Sequence, residues 1–308
     1  MPPLPFTTPR PSRPVEAVLL VLAAALIFAV GNALIRHVTG ELHAFEVVFF
    51  RNLFSLLCML PWVVATRFRT LRTDRLGLYT TRSLTSLVAM TTWFYGVAHM
   101  PLSDATALSF TMPLFTTIGA ALFLGETVQR RRWIAVAVGF AGVLILLRPD
   151  AGALDATALV VLLSCVAAAA TVLQIRTLAR SEGVATMVTY MGLFLTPMAL
   201  VPALFVWTWP SWAALGWLAL LGGILTLAQL ALARAFRLAE ASALAPYDYV
   251  KLPFTALIAW PLFGEVMDLW GWVGAGVIAG SALYTAHRDA AQGRRRRTAG
   301  PDPSAARP

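Results

Sequence analysis

The chain has 308 residues, 58% hydrophobic and only 13% charged, where a soluble domain runs at about 45–50% apolar and about 25% charged. That balance excludes an ordinary soluble enzyme, and two cysteines set in apolar runs, Cys58 and Cys165, exclude a disulfide scaffold or a cysteine zinc site. The net charge of +9 does not point to nucleic acid, because so few polar residues present no broad basic face.

In chain order, a Pro-rich polar tail (residues 1–14) is followed by ten apolar runs, at 15–36, 44–65, 76–98, 103–124, 132–148, 157–175, 185–207, 213–233, 241–263 and 269–286. Each approaches the roughly 20 residues that carry a helix across a bilayer core. The first run continues past Ala23-Ala24-Ala25 to Ile35, longer than the apolar core of a signal peptide, so it is expected to remain as a span. Connections are short, as at Arg148-Pro149-Asp150 and Trp209-Pro210-Ser211. Residues 288–308 form a basic tail. The expected fold is an all-α membrane protein of ten transmembrane helices.

Positive residues accumulate in cytoplasmic loops. With the N-terminus inside, Arg67, Arg69, Arg72, Arg75, Arg130, Arg131, Arg132, Arg176, Arg180, Arg234 and Arg237 fall on the cytoplasmic side, together with the arginines of both tails. Of the 24 basic residues, only Arg36 and Arg148 lie at outer ends, and Arg51, Arg82 and Lys251 lie within spans. Both termini of a multi-pass inner-membrane protein are therefore expected in the cytoplasm.

The halves of the chain repeat at a spacing of 136 to 140 residues. Asp104-Ala105-Thr106-Ala107-Leu108 matches Glu240-Ala241-Ser242-Ala243-Leu244; Gly125-Glu126 with Trp133 matches Gly264-Glu265 with Trp272; Ile35-Arg36 matches Ile175-Arg176. Five spans per unit give the units (residues 15–148 and 149–287) opposite orientations, the layout of many secondary transporters. On these segments, with Phe94-Tyr95-Gly96 and Pro101-Leu102-Ser103 before them, the sequence resembles the EamA family of the drug/metabolite transporter superfamily. The resemblance implies two inverted five-helix EamA repeats, a substrate cavity between them, and alternating access in which one unit rocks against the other. It also implies a small polar or amphiphilic substrate: an amino acid, a derivative such as S-adenosylmethionine, or a vitamin.

Polar residues at membrane depth mark candidate sites. In the ninth span Tyr247, Asp248, Lys251 and Thr255 form one stripe at helical spacing, and Lys251 is the only lysine. Pro246 and Pro253 interrupt this span and Pro113 the matching fourth, and paired interruptions point to a transporter site. Arg51-Asn52 lies halfway through the second span, where an arginine offers a fork to a carboxylate or phosphate. Tyr190 and Gln229 are further candidate substrate ligands, and Asp248 and Glu46 candidate proton-coupling acids. Bland readings stand beside these: Asp248 and Lys251 as a structural pair, Arg51 paired to a neighbouring helix, Arg82 snorkelling, and interhelical hydrogen bonds for Tyr190 and Gln229.

No Gly-Lys-Ser or Gly-Lys-Thr phosphate loop occurs, and His37, His43, His99 and His287 make no helical metal pair. Neither enzyme chemistry, cofactor, metal nor nucleic acid is expected. The alternative is an integral membrane enzyme or lipid-handling protein, but such proteins place acid, histidine or metal clusters in an interfacial loop, and the outer loops here hold only isolated acids. Expected partners are the bilayer, a small-molecule substrate and coupling protons, with the bundle complete as a monomer or homodimer.

Overall fold

The computed structural model describes residues 14–65, 73–123, 130–147, 156–178, 182, 184–238, 244, 247 and 250–298. Every regular element among them is a helix: α1 (Pro14–Val38), α2 (Ala44–Ala65), α3 (Leu76–His99), α4 (Leu102–Ser109), α5 (Met112–Phe123), α6 (Arg130–Leu147), α7 (Ala156–Leu178), α8 (Val184–Leu204), α9 (Trp212–Leu238), α10 (Lys251–Phe263) and α11 (Leu269–Thr298). Five stretches are long and apolar enough to cross a membrane, including the α4–α5 pair as Leu102–Phe123, and four shorter apolar helices accompany them. The protein is thus a multi-pass helical membrane protein. Polar side chains within the helices fold back on their own backbone, as when the hydroxyls of Thr92, Thr106 and Thr116 donate to Val88, Leu102 and Met112 carbonyls. A hydroxyl bonded this way needs no partner from the bilayer.

The fourth apolar run is two helices. Pro113 has no N–H to donate toward Ser109, and the chain tightens instead, with the Phe110 and Thr111 amides donating to the carbonyls of Ala107 and Leu108 at 3.1 and 2.9 Å. The Thr111 hydroxyl (2.7 Å) and the Cys165 thiol (3.6 Å) of α7 also donate to the Leu108 carbonyl. α10 ends on Gly264, whose φ of 68° is the left-handed conformation that glycine adopts without strain. Across α6 and α11, a Cβ on Gly142 would lie 3.0 Å from the Gly274 carbonyl oxygen, and one on Gly274 2.8 Å from that of Gly142. The two backbones touch, and only glycine fits on either side.

The apolar core is undivided at one end of the bundle and divided at the other. Where α1 ends and α2 begins, Ile35, Val38, Val47 and Val48 join Val97, Leu102, Leu108, Ala199, Ala203, Leu218, Leu221 and Ala259 in one buried cluster. Toward the opposite end the described residues form two separate clusters. Ala17 and Val21 of α1 pack with Ala235 of α9 and Leu244, while Tyr79 of α3 packs with Leu178 of α7 and Met187 and Tyr190 of α8. Each arm takes helices from both halves of the chain.

Candidate functional site

A cleft lies where the core divides, formed by α2, α8 and α9 and lined by Arg51, Asn52, Ser55, Met59, Thr189, Met191 and Gln229 among others. It is narrow, with space for little more than water. α2 and α9 cross closely beside it because Gly222 is small: a Cβ there would fall 3.0 Å from the Arg51 carbonyl oxygen. Arg51 and Asn52 are 4% and 2% exposed. One Arg51 terminal nitrogen, Nη1, donates to Asn52 Oδ1 at 2.8 Å and lies 4.0 Å from Met90 Sδ, while Asn52 Nδ2 donates to the Val48 carbonyl at 2.7 Å. Asn52 thereby fixes the guanidinium against its own helix. Arg51 Nε is buried with no hydrogen-bond partner among the described residues. A charged side chain at mid-helix costs about 2.5–3.5 kcal/mol on insertion scales, and no described carboxylate pairs with it to offset that cost.

One turn closer to the divided end, Arg82 of α3 donates through Nη1 to the Met187 carbonyl of α8 at 3.0 Å, and Nη2 lies 3.7 Å from Met191 Sδ. Its Nε is also buried without a described partner. Met191 therefore separates two guanidinium groups, lining the cleft on one side and touching Arg82 on the other. Tyr190 stands outside the cleft and stacks on Tyr79 with ring centroids 4.6 Å apart. A hydroxyl and amide network joins α3 to α7 on this arm: Thr85 donates to Gln174 Oε1 at 2.9 Å, and Thr171 donates to the Thr85 hydroxyl at 3.0 Å.

Lys251 opens α10 and sets its ammonium 5.0 Å from the centroid of Phe110, at the break between α4 and α5. The interrupted region of one span thus meets that of the other, Pro113 standing in the first turn of α5 and Pro253 in that of α10. Tyr247 is exposed. Asp248 and Pro246 lie outside the described residues. The cleft at Arg51 and the Lys251–Phe110 contact have no lining residue in common.

Two carboxylates tie the undivided end. Glu46 is fully buried, accepting from the His43 amide (3.0 Å), the Thr208 amide (2.7 Å) and the Thr208 hydroxyl (3.1 Å). The first of these bonds caps α2 in the manner of a capping box; the other two hold the α8–α9 connection. Glu265 follows the left-handed Gly264 and turns back across the bundle. It forms an ion pair with Arg36 at the end of α1 and accepts from the Leu102 amide at the start of α4 at 2.7 Å. Arg36 also donates to the Met100 carbonyl at 3.1 Å and lies over the Phe263 ring. This latch joins α1, α3, α4 and α10. The amide that Glu265 meets begins a helix of the other half of the chain.

The cleft therefore gathers Arg51, Asn52 and Gln229 from the sequence candidates, and adds Ser55, Thr189, Met59 and Met191. Residues 15–148 match the EamA-like transporter family. The chain is 32% identical over 290 residues to a riboflavin transporter of Vibrio cholerae, covering 92% of this chain and 97% of that protein. It is 33% identical over 249 residues to an S-adenosylmethionine uptake transporter of Rickettsia bellii, covering 81% and 86%. A solved crystal structure with 16% identity matches at a TM-score of 0.61 over 89% of this chain and 98% of that one, a likeness of fold. A bundle with broken helices, intramembrane cations and relatives matched along nearly their whole length leaves one conclusion: the chain belongs to the EamA-like transporter family.

Proposed function

We propose that the protein is a secondary transporter that moves a small polar or amphiphilic metabolite across the inner membrane by alternating access. The observation that carries this reading is the core, continuous at the latched end and parted at the other, with the Arg51 cleft at the fork. A membrane enzyme or scaffold has no use for such a division. A transporter with its site closed to one side and opening to the other does.

The reading includes ten spans in two inverted units, 15–148 and 149–287, between a 1–14 tail and a 288–308 tail. Helix contacts support it, because they recur when each helix is exchanged for its counterpart five spans away. α1 packs on α9 and α7 on α3; α2 on α9 and α8 on α3; α1 on α10 and α7 on α5; and α2–α8, α6–α11 and α4–α10 each join a helix to its own counterpart. The departure from symmetry is informative too. α3 also packs on α1 and α2, and no equally large contact joins α9 to α7 or α8 among the described residues. The arms that part are α1 with α9, and α3 with α7 and α8, rather than first half against second.

Positive loops assign the divided end to the cytoplasm and the Arg36–Glu265 latch to the outer face. Glu46 is fully engaged in holding that face and takes a structural role; Asp248 remains the candidate coupling acid, and Lys251 a second ligand at the α4–α5 break. Purified protein in liposomes is expected to exchange at least one of riboflavin, S-adenosylmethionine or an amino acid in counterflow. No exchange of any of them above protein-free liposomes, under a proton gradient of either sign, overturns the reading.

A further inference from the structure

We infer that the Arg51 cleft is a carboxylate site, so that the transported metabolite is an amphiphilic organic acid or zwitterion rather than a neutral or purely cationic compound; this rests on the transporter reading above. All of Arg51's hydrogen bonds to described residues leave from Nη1, to Asn52 Oδ1 and toward Met90 Sδ. The Nε–Nη2 edge has no partner among the described residues, and Nε is fully buried. Two parallel N–H groups on a planar edge match the two oxygens of a carboxylate. Asn52, anchored at 2.7 Å to the Val48 carbonyl, fixes Nη1 and leaves the Nε–Nη2 edge unengaged.

The surroundings favour an anion and describe the rest of the ligand. Among the described residues the ion pairs are Arg36–Glu265 and Arg234–Glu16, both at helix ends, so nothing described neutralises Arg51. Arg82, behind Met191, adds positive potential without an acid of its own. The Thr189 hydroxyl and the Gln229 amide line the cleft with no hydrogen bond to a described residue, and Met59, Met191 and Leu56 supply the apolar wall. A ligand that meets all of these has a carboxylate, a hydrogen-bonding group and an apolar body. By that criterion S-adenosylmethionine carries the carboxylate that Arg51 would recognise, and riboflavin, which has none, does not.

The test uses matched probes on the purified full chain in detergent: phenylacetate, phenylacetamide and phenyl phosphate, followed by thermal shift and tryptophan fluorescence. Phenylacetate is expected to bind at least about tenfold more tightly than phenylacetamide, a factor of ten being about 1.4 kcal/mol. In Arg51→Gln that ratio falls to near one, and in Arg51→Lys it is reduced but kept. Equal binding of acid and amide to the wild type, no saturable binding of either, or a preference for phenyl phosphate overturns the inference. The wild-type comparison stands even where Arg51→Gln fails to fold. Carboxylate-selective binding without counterflow of any solute would remove the transporter reading and leave the site. Riboflavin counterflow that phenylacetate does not inhibit and Arg51→Gln does not slow would remove the site and leave the transporter.

Discussion

Glu265 is the residue on which the undivided end of the bundle turns. It meets the Leu102 amide and Arg36 at once, so Glu265→Ala leaves an unpaired cation and an orphaned helix-start amide. The pair is partly exposed, and the expected loss is about 1–3 kcal/mol, seen as a lower unfolding temperature in detergent. Glu265→Gln keeps an acceptor for Leu102 and should lose less; equal melting of both variants and wild type would refute the latch. A charge or amide within an apolar run is conspicuous, so Arg51, Asn52 and Gln229 were legible in the sequence. Their partners Thr189, Ser55 and Met191 were not, because a threonine or methionine in a membrane helix has no mark until the crossing of three distant helices sets its face. Glu46, an expected coupling acid, stands at the third position of α2, where its carboxylate accepts from the His43 amide. Tyr190 shows a like case: one polar residue per turn reveals depth, not direction, and the ring turns to Tyr79.

At the scale of elements, helix breaks and glycine contacts make separate predictions. Gly274→Leu forces α6 and α11 apart and is expected to abolish recovery of monodisperse protein. Gly276→Leu, two residues along the same helix where an added Cβ meets nothing within 4 Å, should purify normally. Equal yields would mean that the Gly142–Gly274 contact is dispensable. Pro113→Ala restores the missing amide donor, and the α4–α5 break then competes with continuous helix; counterflow should fall severalfold while expression holds. The break was legible from Pro113, since a proline inside a helical run removes a donor. The tightened turn around it was not, because it depends on Thr111 and on Cys165 of another helix.

For the molecule as a whole, alternating access requires the latch to open once per cycle. Arg36→Cys with Glu265→Cys, in a chain freed of Cys58 and Cys165, should cross-link on oxidation and stop counterflow, with recovery on reduction. Undiminished flux through the cross-linked protein would exclude movement at this face. Reporter fusions at the two ends are expected to place both in the cytoplasm; opposite compartments would overturn the proposed ten spans. Apolar runs made the helices legible at this scale. Which helices pack together at the divided end was hidden, since sequence order suggests half against half while the divided core groups α1 with α9 and α3 with α7 and α8.

The Cys165 thiol, buried beneath the carbonyl at the α4–α5 break, gives the native chain a built-in clock. With exposed Cys58 replaced by serine, the rate at which a membrane-permeant maleimide labels Cys165 counts how often that break opens. Substrate added on one side should change the count, turning a single native sulfur atom into a stopwatch for the transport cycle without any introduced cysteine.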